Sequence, residues 1–349
     1  MRLRGQVPIV AALAAVMTIG TLSARQAPPN EPCTFPASEI EWLQRALVGW
    51  EQVSRDDLEM DPTPLPWIVL YDAACVWHLA AGSSPAIAFR PIQTTLTFGG
   101  KPVPVRAIPH TGTFMLPSGT TQSVEVKAST SLYRNGTAAF FVMAMPSVWQ
   151  SREVSAPTRA EFLRGVFSHE MTHVRLLLPI NRIVRDLART HALVYPMNDD
   201  IVQMEFERAP GFASVFGRER DHFYRAAFET DPVKRRHLTA RALEIVRKRH
   251  ARYFTGPNAV YKEIEGLFLV MEGVGQWAAY RSSLARLGNP SEAIRLVRDT
   301  RRFWSQDEGL ALFLLIDAMV PNWRARVFND TPASPFTLLE EAARGTVSR

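Results

Sequence analysis

Hydrophobic and polar positions along this chain change period near residue 155. Before it, apolar residues cluster in short runs or alternate. Beyond it, they recur every three to four positions, the spacing of one helix face. The first half also opens on a helix, over 38–53, where Ser38 and Glu41 have the spacing of a capping box. Residues 67–71 read as a strand, and 93–145 as a β-rich stretch. Within that stretch Asn135-Gly136 separates 124–133 from 138–145, a strong hairpin signal because tight hairpin turns demand positive φ. Beyond Pro157 the pattern is almost wholly helical. Thr158 and Glu161 repeat the capping-box spacing, and Pro179 is expected to stop that helix. Residues 287–293 read as an ordinary helix hairpin, one copy being too few for a repeat array. The predicted fold class is α+β, with a helix and mixed sheet over 33–155 and a helical part over 156–349.

Composition narrows the class. With 349 residues, 46% hydrophobic and 21% charged, the chain can bury a core, which excludes a disordered or fibrous protein. The formal charge of +6 is concentrated partly in 234–252, which reads as a solvated helix face. No nucleic-acid recognition motif accompanies it, so no nucleic-acid partner is expected. Arg2 and Arg4 precede an uncharged stretch, 7–22, and the small residues Ser23 and Ala24, the order of an export signal over 1–24. The stretch is short for a membrane span, so a periplasmic or secreted protein is expected, with no stable span after cleavage. In an oxidising compartment the two cysteines, Cys33 and Cys75, are most simply a disulfide.

One motif carries a specific chemistry: His169-Glu170-Met171-Thr172-His173. Residues four apart are neighbours on a helix, so both imidazoles can reach one ion, and zinc with such ligands keeps a position open for water. Glu170 is placed to take a proton from that water and pass it to the leaving amine. With 8 His and 34 Asp plus Glu in the chain, chance supplies this form roughly 0.02 times. Phe162, Val166, His169, His173 and Leu176 follow one apolar stripe, so the histidines face inward.

A third protein ligand must come from elsewhere, because Leu176 and Pro179 stand where a third-histidine motif needs Gly and His. Glu265 and Glu272, on a segment apolar nearly all round, are both candidates, as are Asp199, Asp200 and Glu205. Glu272-Gly273-Val274-Gly275-Gln276-Trp277, with the His-Glu-x-x-His motif, resembles the gluzincins, zinc metallopeptidases whose third ligand is a glutamate on a later helix. The resemblance implies a zincin-like fold with Zn²⁺ held by His169, His173 and Glu272 and Glu170 as general base. It implies hydrolysis of a peptide or protein substrate through a zinc-bound water. It also implies a substrate lying along the strand before the metal helix, here 138–145. Gly273 and Gly275 are expected to let the two motif helices approach closely. The chain departs from the thermolysin-like pattern at Gln276, where those enzymes carry an aspartate that buttresses the first histidine. Tyr280, Tyr261 and His222 are candidates for stabilising the oxyanion. Two alternatives stay open: a catalytically idle protein of the same fold that binds peptides or cell-envelope partners, and a hydrolase of non-peptide amides.

Overall fold

The computed structural model describes residues 13–14, 33–80, 90–151, 156–298 apart from 192, 194 and 196, and 303–345. The export signal expected over 1–24 lies outside the described residues except for the short strand β1 (Leu13–Ala14).

The chain then enters α1 (Ala37–Gln52), capped by Pro36, whose carbonyl accepts from the Glu39 and Ile40 N–H groups at 3.0 Å each. Ser38 therefore lies inside the helix, and the first capping box does not form. Glu39 turns inward to accept from the Ser147 N–H at 3.0 Å, and Glu41 pairs with Arg45.

Among the described residues ten further strands follow: β2 (Ile68–Tyr71), β3 (Cys75–Leu79), β4 (Arg90–Ile92), β5 (Thr97–Phe98), β6 (Lys101–Pro102), β7 (Val105–Pro109), β8 (Thr113–Met115), β9 (Thr121–Ser123), β10 (Ala128–Leu132) and β11 (Ala139–Ala144). Seven make one mixed sheet in the order β1-β10-β11-β2-β3-β7-β4, with only β11 and β2 parallel; β5 with β6 and β8 with β9 are small separate hairpins. The Asn-Gly signal marks the β10–β11 hairpin: Gly136 has φ 67° and the Tyr133 N–H closes the loop on the Ala138 carbonyl at 2.9 Å. Its first strand starts later than expected, because Val124 bonds instead to Gly112, beside the small β8–β9 hairpin. Strand β11, expected to border the substrate, is interior, flanked by β10 and β2. β10 lies outside it.

The helices are α2 (Ala156–Thr190), α3 (Ile201–Phe206), α4 (Phe212–Phe228), α5 (Pro232–Tyr253), α6 (Tyr261–Leu287), α7 (Pro290–Val297), α8 (Trp304–Met319), α9 (Trp323–Val327) and α10 (Pro335–Arg344). The structure is thus mixed α+β, with a sheet region followed by a mainly helical part. α2 packs on β10 and β11, Phe167 meeting Phe141 edge to face at 5.2 Å, and α6 packs on α2. Pro179 does not stop α2, which runs eleven residues beyond it. A proline inside a helix costs about 3 kcal/mol. Burial of Ile180, Val184 and Leu187 beyond it returns about 1.5–3 kcal/mol for each side chain, so packing prevails. The second capping box also gives way: Thr158 is inside α2, and the Glu161 carboxylate accepts from Arg286 Nε and Nη2 at 2.7 Å each.

Cys33 and Cys75 are disulfide-bonded, tying the segment before α1 to β3. The bridge closes a loop across a separation of 42 residues, for which chain entropy gives about 4 kcal/mol of stabilisation. Cys33→Ser is therefore expected to lower the unfolding free energy in urea by 2–4 kcal/mol. An unchanged midpoint would show that α1 docks on the sheet without the tether. Among the described residues no helix is long and apolar enough to cross a membrane.

Candidate metal centre

The chemistry expected of α2 is gathered where α2, α6 and β10 meet. His169 and His173, one turn apart, have ring centroids 4.2 Å apart. The ligand atoms of His169, Glu170 and His173 all lie within 4.8 Å of one another, and all three side chains are buried, so the group could hold a metal ion. From α6 the Glu272 carboxylate faces the two rings, 1% exposed. Its Oε2 is 3.3 Å from His169 Nε2 and its Oε1 is 3.4 Å from His173 Nε2.

These distances suit a shared ion better than an ion pair. Atoms bonded at about 2.0–2.1 Å to one tetrahedral ion stand about 3.3–3.4 Å apart. Neither Glu272 oxygen, and neither His173 ring nitrogen, has a hydrogen-bond partner. A buried polar group left unpaired costs about 1–3 kcal/mol. One cation among the three side chains would relieve several such costs at once. Burial opposes charge on His173, but the Glu272 and Glu170 carboxylates outweigh it and raise its proton affinity. Burial likewise opposes charge on Glu272, and the two imidazoles with the Gln306 amide outweigh it, holding that carboxyl below its ordinary range.

Two glycines make the assembly sterically feasible. A Cβ on Gly275 would lie 2.8 Å from His169 Nδ1 and 2.9 Å from His173 Nε2, so only glycine lets the imidazoles lie on α6. Gly273, expected to serve the same approach, faces the other way. Its missing Cβ makes room for α8, where Gly309 Cα would be 2.9 Å away. On α2 the close approach falls to Gly165, against Ala279.

Glu170 is held from the sheet. Thr130 Oγ1, on β10, donates to Glu170 Oε2 at 2.9 Å and to the Glu170 carbonyl at 3.0 Å. Nothing in the sequence marked Thr130, since a threonine in a strand has no local signature. His169 and Glu170 open on a cavity lined largely by apolar side chains, among them Trp149, Phe162, Val166 and Leu296, with Gln276, Gln306 and Ser283 as polar members. Gln276 does not turn to a histidine; its Nε2 donates to Gln306 Oε1 at 3.0 Å.

The other candidates lie elsewhere. Tyr261 donates to Glu205 at 3.3 Å, and His222 Nδ1 meets the Arg218 carbonyl at 2.7 Å. Neither lines the cavity, nor does Tyr280. Asp200 is 3.5 Å from Ser305 Oγ. Asp199 is buried, and desolvation together with the field of Glu272 pushes its carboxyl well above the ordinary range.

Glu265 belongs to a separate buried cluster that ties four helices. Arg249 on α5 bonds Glu265 at 2.7 Å and Glu219 of α4 at 2.6 Å, and His250 Nε2 meets the second Glu265 oxygen at 2.6 Å. The basic segment 234–252 is thus a solvated face only in part, since Arg249 and His250 point into the core. Glu308 of α8 adds a further carboxyl whose oxygens have no hydrogen-bond partner. Burial first, and the Glu219 charge next, push it well above the ordinary range, which favours its neutral form. A carboxyl raised in the folded state stabilises most below its unfolded value and loses that contribution as pH rises toward its folded value. Glu308→Gln keeps the neutral form at every pH. Its stability should therefore gain on wild type with rising pH above about 4.5, by up to about 1.4 kcal/mol per unit. Parallel urea-midpoint profiles from pH 5 to 9 would show that Glu308 is ionised throughout.

Compared with known proteins, the chain matches no family model, no curated protein and no solved structure. Functional assignment therefore rests on this geometry.

Proposed function

We propose that the chain is an exported, zinc-dependent metallopeptidase of gluzincin type on a zincin-like fold. Zn²⁺ would be held by His169, His173 and Glu272, with Glu170 as general base. The observation that carries the proposal is the convergence of two imidazole Nε2 atoms on two unpartnered, buried carboxylate oxygens at 3.3 and 3.4 Å. Two nitrogens and a carboxylate are a donor set characteristic of catalytic zinc. When bound, zinc supplies Lewis acidity toward a substrate carbonyl and acidifies water. Glu170, oriented by Thr130, accepts a proton from water and returns it to the leaving amine. The apolar lining around Trp149, Phe162 and Val166 excludes solvent and receives substrate side chains. A peptide would add alongside β10, whose outer neighbour among the described residues is the two-residue β1, within the segment we expect export to remove. The Cys33–Cys75 disulfide is consistent with an oxidising, extracytoplasmic location.

A second reading has one observation in its favour. Among the described residues the cavity lining holds no tyrosine or arginine, and no histidine beyond His169, to stabilise an oxyanion, as suits a catalytically idle protein that binds peptides or envelope partners. Digestion of a broad peptide library by wild type and by Glu170→Gln separates the two. Cleavage by wild type alone supports the enzyme; binding without cleavage by either supports the binder.

A further inference from the structure

A second cavity lies along the seam between α2 and α6, beside the one in front of His169 and Glu170. Adjacent residues of the two helices divide between them: Gly165 and Ser283 line the first, Arg164 and Ser282 the second. One face of α1, through Arg45, Val48 and Gly49, closes the second, a space of about 180 Å³. We propose that this cavity binds a small organic monocarboxylate, its head held by Arg164 and Arg286 and its apolar body laid against Val48, Val53 and Ala285. The proposal holds whether or not the neighbouring centre carries zinc.

Among the described residues the lining contains three arginines, Arg45, Arg164 and Arg286, and no carboxylate. Arg164 and Arg286 share one counter-ion from outside it. The Glu161 carboxylate accepts from Arg286 Nε and Nη2 at 2.7 Å each, and from Arg164 through Nη2 and, at 3.3 Å, Nε. Both contacts use Nε and Nη2, so the Nη1 groups of the two arginines are the ones left for a ligand. Arg45 pairs with Glu41. Three guanidiniums thus share two carboxylates. Arg164 registers the imbalance: burial foremost, and the like charges of Arg286 and Arg45, lower its proton affinity against the pull of Glu161. A guanidinium keeps its proton all the same, and its planar N–H edge matches the two oxygens of a carboxylate. One surplus positive charge suits a ligand with one negative charge.

The wall opposite is shaped to stay open. Gly49 stands inside a helical run, because α1 passes directly into a π-helical turn, Val53–Asp57. Glycine weakens a helix interior relative to alanine. Packing does not demand it here: a Cβ on Gly49 would meet Ser282 Oγ at 3.6 Å, an ordinary contact. What a larger side chain would take up is the cavity itself. Val53, which opens the π turn, and the exposed Val48 make this wall apolar. Such turns interrupt helices most often at functional sites. At about 15 Å³ for each water-sized group, the space accepts about a dozen of them, the size of an aromatic carboxylate. Apolar walls of this kind oppose a compact dianion such as phosphate, whose whole surface needs hydrogen bonds.

Calorimetric titration of the full chain with phenylpropionate, with and without excess chelator, tests the site. A Kd of about 1 mM or tighter is expected for a ligand of this size, equal in both conditions. Phenylpropionamide, the same shape without the charge, and phenylpropionate on Arg286→Gln should each bind at least about 10-fold more weakly, as loss of a charged hydrogen bond predicts. Gly49→Leu fills the space and leaves every arginine in place. It should abolish binding while its melting temperature is no lower than that of wild type. Three results would overturn the proposal: no binding by wild type, equal binding of the amide or of inorganic phosphate, or wild-type affinity in Gly49→Leu. Binding that disappears in chelator would also overturn it, by placing the carboxylate on a metal.

Discussion

Glu272→Ala is expected to retain less than a tenth of the zinc of wild type after dialysis, with affinity lowered by more than about 10²-fold. Loss of an outer partner of a ligand already costs 10- to 100-fold, and removal of a ligand must cost at least as much. Two oxygens that face His169 and His173 at 3.3 and 3.4 Å disappear together. The fold should survive. Neither oxygen is hydrogen-bonded, so removing the carboxylate leaves no protein donor newly unpaired, and in chelator the variant should be at least as stable as wild type. Glu265→Ala is the opposite case. It strips Arg249 and His250 of a shared partner within a fully buried cluster, and breaking such a pair costs about 3–5 kcal/mol. Zinc content per folded molecule should be unchanged. The measurements are metal by mass spectrometry and stability in urea, on both variants. Full zinc in Glu272→Ala would remove it from the ligand set and return Asp199, the other buried carboxyl in the field of Glu170, to consideration.

Glu170→Gln is expected to lower kcat by about 10²–10⁴-fold on any peptide wild type cleaves, and to keep stoichiometric zinc. The amide oxygen can still accept from Thr130, so the side chain stays in place and only its basicity is lost. Thr130→Val, which leaves the base but frees its orientation, should cost much less. Equal losses of zinc and of activity in Glu170→Gln would mean that this carboxylate is a ligand, which the proximity of Glu170 Oε2 to His173 Nδ1, 3.5 Å, makes a fair test.

The local order of the chain was legible in the sequence because short-range rules govern it. Period and turn chemistry give the β10–β11 hairpin around Asn135-Gly136, the buried α6, the helix bearing both histidines and the inward direction of that pair. Cysteine count and an expected oxidising compartment gave the Cys33–Cys75 pairing. Where a local signal competes with packing, packing decided the outcome. Pro179 failed to stop α2 because the apolar face continues through Ile180 and Val184, and neither Ser38 nor Thr158 caps its helix.

What only the tertiary structure decided is pairing at a distance. Glu265 and Glu272 are two turns apart on one apolar helix and look alike in sequence; one meets Arg249 and His250, the other His169 and His173. Gly273 and Gly275 likewise divide, one toward α8 and one toward the imidazoles. Thr130 and Gln306 carry no local signature, yet the first holds Glu170 and the second lines the cavity in front of it. Periodicity tells which residues turn inward. Which inward residues meet depends on how α2, α6, α8 and β10 cross, and that follows from the summed burial of side chains far apart in the chain.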